Sequence, residues 1–293
     1  MNINKMKIVS TLLVIFSLIF IFQFNLNTVM AQDSDMKIAV AVSPIENFVK
    51  EIGGKKVNTV VMIPPGYSPA NHAPGPEQMI KLSDAEIYFS FGMPAEKTNI
   101  IPKLKSFNKD IKTVRLDYLV SEKYAKRKFD NGGIDPHIWL STDRVKYMIE
   151  IIRDKLIKLD PDNKSYYQKR YKKYNSKIIE MDNYVENKMK KLKNKTIIIY
   201  HPVLGYFTDE YGLDMMAIEK NGKKATPKRL ESIIDFAKNN SVKAIFHQKT
   251  IDSKQTKVVA DEIGAKLIKI NPLSENYIKS MKNIADIIFK YYN

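Results

Sequence analysis

The stretch NKSYYQKRYKKYNSKIIEMDNYVENKMKKL, residues 163–192, divides the chain in two. It is rich in Lys and Tyr and contains neither Gly nor Pro, so nothing inside it stops a helix. Asp160-Pro161-Asp162 just before it breaks the preceding pattern, because a proline disfavours helix in the residue before it. The spacing predicts one helix of about thirty residues, roughly 45 Å long at a rise of about 1.5 Å per residue. Its apolar positions do not sustain heptads, which favours a rigid connector over a coiled-coil segment.

Outward from this helix, both halves of the chain alternate short apolar runs with amphipathic ones. On the N-terminal side Met36 to Val42, Val57 to Ile63, Ala85 to Phe91 and Ile111 to Leu116 read as strands. Pro44 to Ile52 and Pro76 to Ser83 read as helices. Thr142 to Leu159 carries Val145, Ile149, Ile152 and Leu156 at helical spacing. On the C-terminal side Thr196 to Tyr200, Leu213 to Ile218, Val242 to Phe246 and Lys266 to Ile270 read as strands. They alternate with helices over Val203 to Tyr211, Pro227 to Asn239, Ser253 to Ile263 and Tyr277 to Tyr291. Such alternation indicates parallel sheets covered by helices. The fold class expected is α/β: two α/β lobes, each with a mainly parallel sheet, joined by one long connector helix. The expected divisions are an N-terminal lobe over 36–160, a connector over 161–193 and a C-terminal lobe over 194–293.

With 293 residues, 44% of them hydrophobic, the chain can build real cores and is too apolar for disorder. It has no cysteine, which removes disulfides, thiolate metal sites, cysteine nucleophiles and cysteine lipidation. Any metal must then be held by nitrogen and oxygen. The net charge is +16. The lysines are spread along the chain among Asn, Ile and Tyr, with no Gly-rich or aromatic nucleic-acid motif. A solvated basic surface is therefore expected and no nucleic-acid partner. Such a surface also suits work near an anionic membrane. Residues 1–31 read as a secretory signal: Lys5 and Lys7, the apolar run Ile8 to Phe22, then Val29-Met30-Ala31 as a cleavage site. An uncleaved N-terminal anchor is the alternative. The protein is expected to be exported, periplasmic or at the cell surface. It is expected to be non-lipidated, since no cysteine lies near the cleavage point.

The chain has four histidines. His72 lies in the Pro/Gly-rich loop that opens with Pro64-Pro65-Gly66, and His137 in Asp135-Pro136-His137-Ile138-Trp139. His201 follows the apolar run Thr196 to Tyr200, and His247 follows Ala244-Ile245-Phe246. Imidazole is the commonest metal-ligating side chain near neutral pH. Scarce histidines at strand ends, where open α/β sheets bind ligands, point to one convergent site for zinc or manganese. Asn271, right after Lys266 to Ile270, shares that placement.

Several separate motifs now carry a resemblance. Pro65-Gly66 with Ser68-Pro69 and His72 is followed by Leu82-Ser83-Asp84-Ala85 and Asp135-Pro136-His137-Ile138-Trp139. Then come His201-Pro202-Val203-Leu204-Gly205-Tyr206-Phe207, Tyr211-Gly212-Leu213, Thr226-Pro227-Lys228-Arg229-Leu230 after Glu219, and Asn271-Pro272-Leu273. Over roughly Lys37 to Tyr292 the chain resembles the metal-binding receptors of zinc and manganese ABC importers, the ZnuA/TroA-like solute-binding proteins. The resemblance implies two α/β lobes bridged by a long helix, with the metal in the cleft. It implies His72 and His137 as ligands from the first lobe and His201 from the second. The family's fourth ligand is commonly an acid where this chain has Asn271, and many relatives have an acid where it has Gln248. Candidates for a fourth ligand or a supporting place are therefore Asn271, His247, Gln248 and Glu219. Asn271 is expected to bond a metal-bound water, Glu219 to orient a histidine, and Trp139 to pack in the core and fix its loop.

Three imidazoles without an obvious carboxylate suit Zn2+ better than Mn2+, which prefers oxygen donors. Many zinc-type members also carry a His- and Asp-rich loop in the first lobe; Ser121 to Gly133, about where it would fall, contains no histidine. The implied function is capture of Zn2+, with Mn2+ as the alternative, and delivery to an ABC transporter permease by a monomer that performs no chemistry. Membrane proximity would come through the permease or an uncleaved N-terminal segment. A zinc-dependent hydrolase is a second reading and needs a base beside a metal-bound water. A surface adhesin using the basic face is a third.

Overall fold

Strand β1 (Met36–Val42) is an apolar run with every residue but Lys37 buried, as befits a central strand covered on both faces. β2 (Val57–Ile63) pairs on one side of it and β3 (Ile87–Ser90) on the other, with β4 (Lys112–Arg115) beyond, giving the order β2-β1-β3-β4. A second sheet of β5 (Thr196–Ile199), β6 (Asp214–Ala217), β7 (Ala244–Gln248) and β8 (Lys266–Ile270) repeats this order as β6-β5-β7-β8. Every pairing among these strands is parallel. The architecture is thus α/β with two parallel sheets, as the alternation implies. The computed structural model describes residues 35–220, 222–248 and 254–293, so the secretory segment expected over 1–31 lies outside the described residues.

In the first half the helices are α1 (Ser43–Gly53), α2 (Pro76–Ser83), α3 (Ile101–Phe107), α4 (Leu116–Ser121) and α5 (Thr142–Leu159). Ser141 starts α5 by accepting the Arg144 N–H on its hydroxyl at 3.3 Å, which satisfies one of the free amides of the first turn. The long helix α6 (Lys164–Met189) follows. The second half adds α7 (Gly205–Tyr211), α8 (Pro227–Asn239), α9 (Lys254–Ile263) and α10 (Tyr277–Tyr292).

The helix α6 has 26 residues, about 39 Å at a rise of about 1.5 Å per residue. It ends at Met189 rather than at Leu192, because Lys191 and Leu192 turn back onto Lys188 and Met189 with carbonyl contacts of 3.2 Å, a tightened last turn. Its buried face is Tyr167, Tyr174, Ile178, Met181, Val185 and Met189. Tyr174 donates its hydroxyl to Asn47 of α1 at 2.8 Å. Farther along, Tyr184 donates to Asp286 of α10 at 2.6 Å, and Lys188 pairs with the same carboxylate at 2.7 Å. The helix therefore touches both halves. Trp139 also joins them: it is buried, stacks on Phe91 at 5.4 Å, and donates its indole N–H to the Pro272 carbonyl at 2.8 Å.

Other details also differ from the sequence reading. Strand β7 runs on to Gln248, so His247 and Gln248 lie inside it and not beyond it. Helices α3 and α4 are additional; Pro102 stands in the first turn of α3, where a proline removes no needed donor.

Candidate metal centre

In a parallel sheet all strands point the same way, so their carboxyl ends share one edge. Both sheets present that edge to a single cleft of about 400 Å³. Ser68 to Ala70 come from the loop after β2, Phe91 and Gly92 from the end of β3, and Arg115 from β4. From the second sheet come His201 after β5, Glu219 after β6, Gln248 at the end of β7 and Leu273 after β8. Aromatic walls are supplied by Phe91, Phe129 and Trp139.

His137 and His201 face one another in this cleft, with ring centroids 5.3 Å apart and planes at 81°. Each is held by a carboxylate at Nδ1. His137 Nδ1 lies 2.7 Å from Asp135 Oδ1, and the His137 backbone N–H donates to the same oxygen at 2.9 Å. His201 Nδ1 lies 3.1 Å from Glu219 Oε1. An ionised carboxylate only accepts, so it places the imidazole proton on Nδ1 and leaves Nε2 with its lone pair. Carboxylates commonly orient metal-bound histidines in this way. Burial holds His137 below the usual imidazole pKa, against the opposing pull of Asp135, and the nearby His201 and Arg127 push it in the same downward direction. The ring is thereby kept in its neutral, ligating form.

The remaining expected residues divide. Glu219 stands against His201, as a histidine-orienting acid should. Gln248 is buried and lines the cleft. His247 does not line it: successive strand residues point to opposite faces, and Gln248 takes the cleft side. Asn271 is exposed, and its backbone carbonyl accepts the Ser280 hydroxyl at 2.7 Å, while Leu273 of the same motif lines the cleft.

His72 lies apart from the pair. Its ring packs on Tyr67 with centroids 4.5 Å apart, and the Asn99 amide donates to its carbonyl at 2.9 Å. Its Nε2 is buried and makes no hydrogen bond among the described residues. Among the described residues no three histidine or acidic side chains converge as they stand to hold an ion. Two of the three expected ligands are therefore brought together, and His72 is not among the residues that line the cleft.

Sequence reasoning left Asp135 and Arg127 without roles. Asp135 is fully buried; its second oxygen, Oδ2, accepts from Arg127 Nη1 at 3.1 Å. The signal for Asp135 was available, since an acid two residues before a candidate ligand can fold back on it. Arg127 carried no such signal; it lies in the histidine-free loop, closed by a bridge between Lys128 and Ile134.

A sequence profile of the family described as "Zinc-uptake complex component A periplasmic" matches residues 38–291. The chain is 27% identical over 250 residues to the high-affinity zinc uptake system protein ZnuA of Bacillus subtilis, covering 81% of this chain and 78% of that one. It is 24% identical over 233 residues to the manganese-binding lipoprotein MntA of Halalkalibacterium halodurans, covering 78% and 76%. A crystal structure of ZnuA superposes with a TM-score of 0.83 at 28% identity, over 88% of this chain and 99% of the other. With that profile matching nearly all of the described residues and the same two-lobed fold, the chain belongs to the ZnuA family.

Proposed function

We infer that the protein is the solute-binding component of a metal ABC importer, which captures one Zn2+ ion outside the cytoplasm and passes it to a membrane permease. The observation that carries this is the facing pair His137 and His201, each held by a carboxylate at Nδ1 in a cleft between the sheets. Support for zinc over manganese comes from the donors left free. Both oxygens of Asp135 and one of Glu219 are already engaged, so the ring nitrogens are the main donors offered, and Mn2+ favours oxygen. The Mn2+ reading keeps a basis in the manganese-binding relative.

His72 completes the proposed set as the third nitrogen. Its buried, unbonded Nε2 suits a ligand whose partner is an ion, and Ser68 to Ala70 of its own loop already line the cleft. A local shift of that loop would deliver it. Gln248 supports the site from its wall; Asn271 and His247 stay outside. The proposed divisions are lobes over 36–160 and 194–293 with a connector over 161–193, following an export segment over 1–31. The absence of cysteine favours a form without a thioether-linked lipid, and no enzymatic step is assigned to the cleft.

The test is elemental analysis of the purified protein together with competition between Zn2+ and Mn2+. One equivalent of zinc that excess Mn2+ does not displace is expected. Manganese retained in the presence of equimolar zinc would overturn the assignment.

A further inference from the structure

Arg127 sits where the loop bearing Asp135 and His137 meets α7, the helix that begins just after His201. Its Nη1 donates to Asp135 Oδ2 at 3.1 Å and its Nε to Asp209 Oδ2 at 3.0 Å. Its backbone takes part as well. The Arg127 N–H donates to the Tyr206 hydroxyl at 3.0 Å, and its carbonyl accepts the Asp135 N–H at 2.9 Å. The Tyr206 hydroxyl in turn donates to the Asp135 carbonyl at 3.3 Å. The guanidinium lies so close over Gly205 that a Cβ there would stand 2.4 Å from its Cζ. Asp209, Tyr206 and Gly205 all belong to α7.

These contacts have two ends. One end is Asp135, whose other oxygen holds both the ring and the backbone N–H of His137. The other end is α7, whose start lies in the same short segment as His201. The planar fork of a guanidinium serves two carboxylates at once in fixed directions, which an ammonium does not. We propose that Arg127 is a positioning residue that sets the separation of His137 and His201, by clamping the Asp135–His137 loop to α7. This rests on the reading of the histidine pair as the zinc site. Without the guanidinium the Tyr206 hydroxyl bonds to the loop remain, but the carboxylates of Asp135 and Asp209 lose their common partner and the spacing of the two imidazoles is less tightly set.

The test uses the exported chain with Arg127→Ala, Gly205→Ala and His137→Ala. Zinc affinity is read by competition with a chromophoric chelator, coordination by the visible absorption of the Co2+-loaded protein, and folding by thermal melting. Arg127→Ala and Gly205→Ala should both weaken zinc binding, by about 10- to 100-fold for the arginine variant, and both should shift the Co2+ bands. Wild-type zinc affinity and Co2+ bands in both variants would overturn the clamp, even if the melting temperature falls. If Arg127→Ala does not fold, Gly205→Ala decides alone, because it displaces the guanidinium without removing its charge. His137→Ala separates the two readings. Wild-type zinc binding in that variant removes the site itself, whereas lost binding there with full binding in Arg127→Ala and Gly205→Ala removes only the clamp.

Discussion

Asp135 has no exposed surface, and both of its oxygens are engaged, one by His137 and one by Arg127. A buried carboxylate placed against a histidine fixes the ring's tautomer and raises its strength as a ligand. Asp135→Ala is therefore expected to weaken zinc binding about 10- to 100-fold, read by chelator competition; unchanged affinity would show that Asp135 only fills space. Glu210 has a different role. It reaches from α7 to accept the Asp143 N–H at the start of α5 at 3.1 Å, while its other oxygen is buried without a partner among the described residues. Burial, the largest cause, pushes its carboxyl from 4.5 up to about 7. Because the folded pKa is the higher one, the unfolded chain releases the proton first, and Glu210 costs stability as pH rises from about 4.5 to about 7. Glu210→Gln should flatten the fall of melting temperature over that window. A wild-type pH profile in the variant would contradict the assignment.

The histidines were legible because they are few. Their carboxylate partners were less so, because acids are common and only the folded loops decide which one turns onto a ring. An orienting role for Glu219 enters with the family resemblance, whereas nothing in the sequence reading gives Asp135 a role. His247 was misplaced by a strand boundary two residues too short. With the strand running on to Gln248, alternation puts Gln248 on the cleft side and His247 on the opposite face.

At the scale of elements, period and punctuation carried most of the fold. Pro227–Asn239, Thr142–Leu159 and Lys266–Ile270 have the bounds the sequence pattern predicts, because a proline, a capping serine or a glycine marks an end of each. The short helices α3 and α4 escaped because a helix of one or two turns shows no full period. The face of α6 could not be assigned from its tyrosines alone. Tyr167 and Tyr174 are buried whereas Tyr184 is exposed, and only packing against α1, α5 and α10 decides which is which. Met181 lies wholly buried on that face. Met181→Ala should cost about 2–5 kcal/mol of stability, measured by urea unfolding. A loss below about 1 kcal/mol, the range of surface substitutions, would mean that this face is not packed as described.

At the scale of the molecule, the two sheets are tied at several separated points. Trp139 donates to Pro272, Thr142 and Tyr211 share a hydroxyl contact of 2.7 Å, and Arg127 reaches Asp209. Tyr211 also donates to Asp182 of α6 at 2.8 Å. Residues 36–293 form one compact unit. Ties so distributed, with a stiff helix along both lobes, allow local loop movement and oppose a wide hinge. Structures with and without zinc should therefore differ chiefly in the loop of His72, with only modest rocking of the lobes. A large closure between the two would contradict this.

In the proposed site His137 and His201 together hold the ion. Calorimetric titration of Zn2+ into the wild-type chain and into a His137→Ala/His201→Ala double variant tests it most directly. One site is expected in the wild type and no measurable high-affinity site in a double variant that still melts cooperatively. Wild-type stoichiometry and affinity in that folded double variant would contradict it.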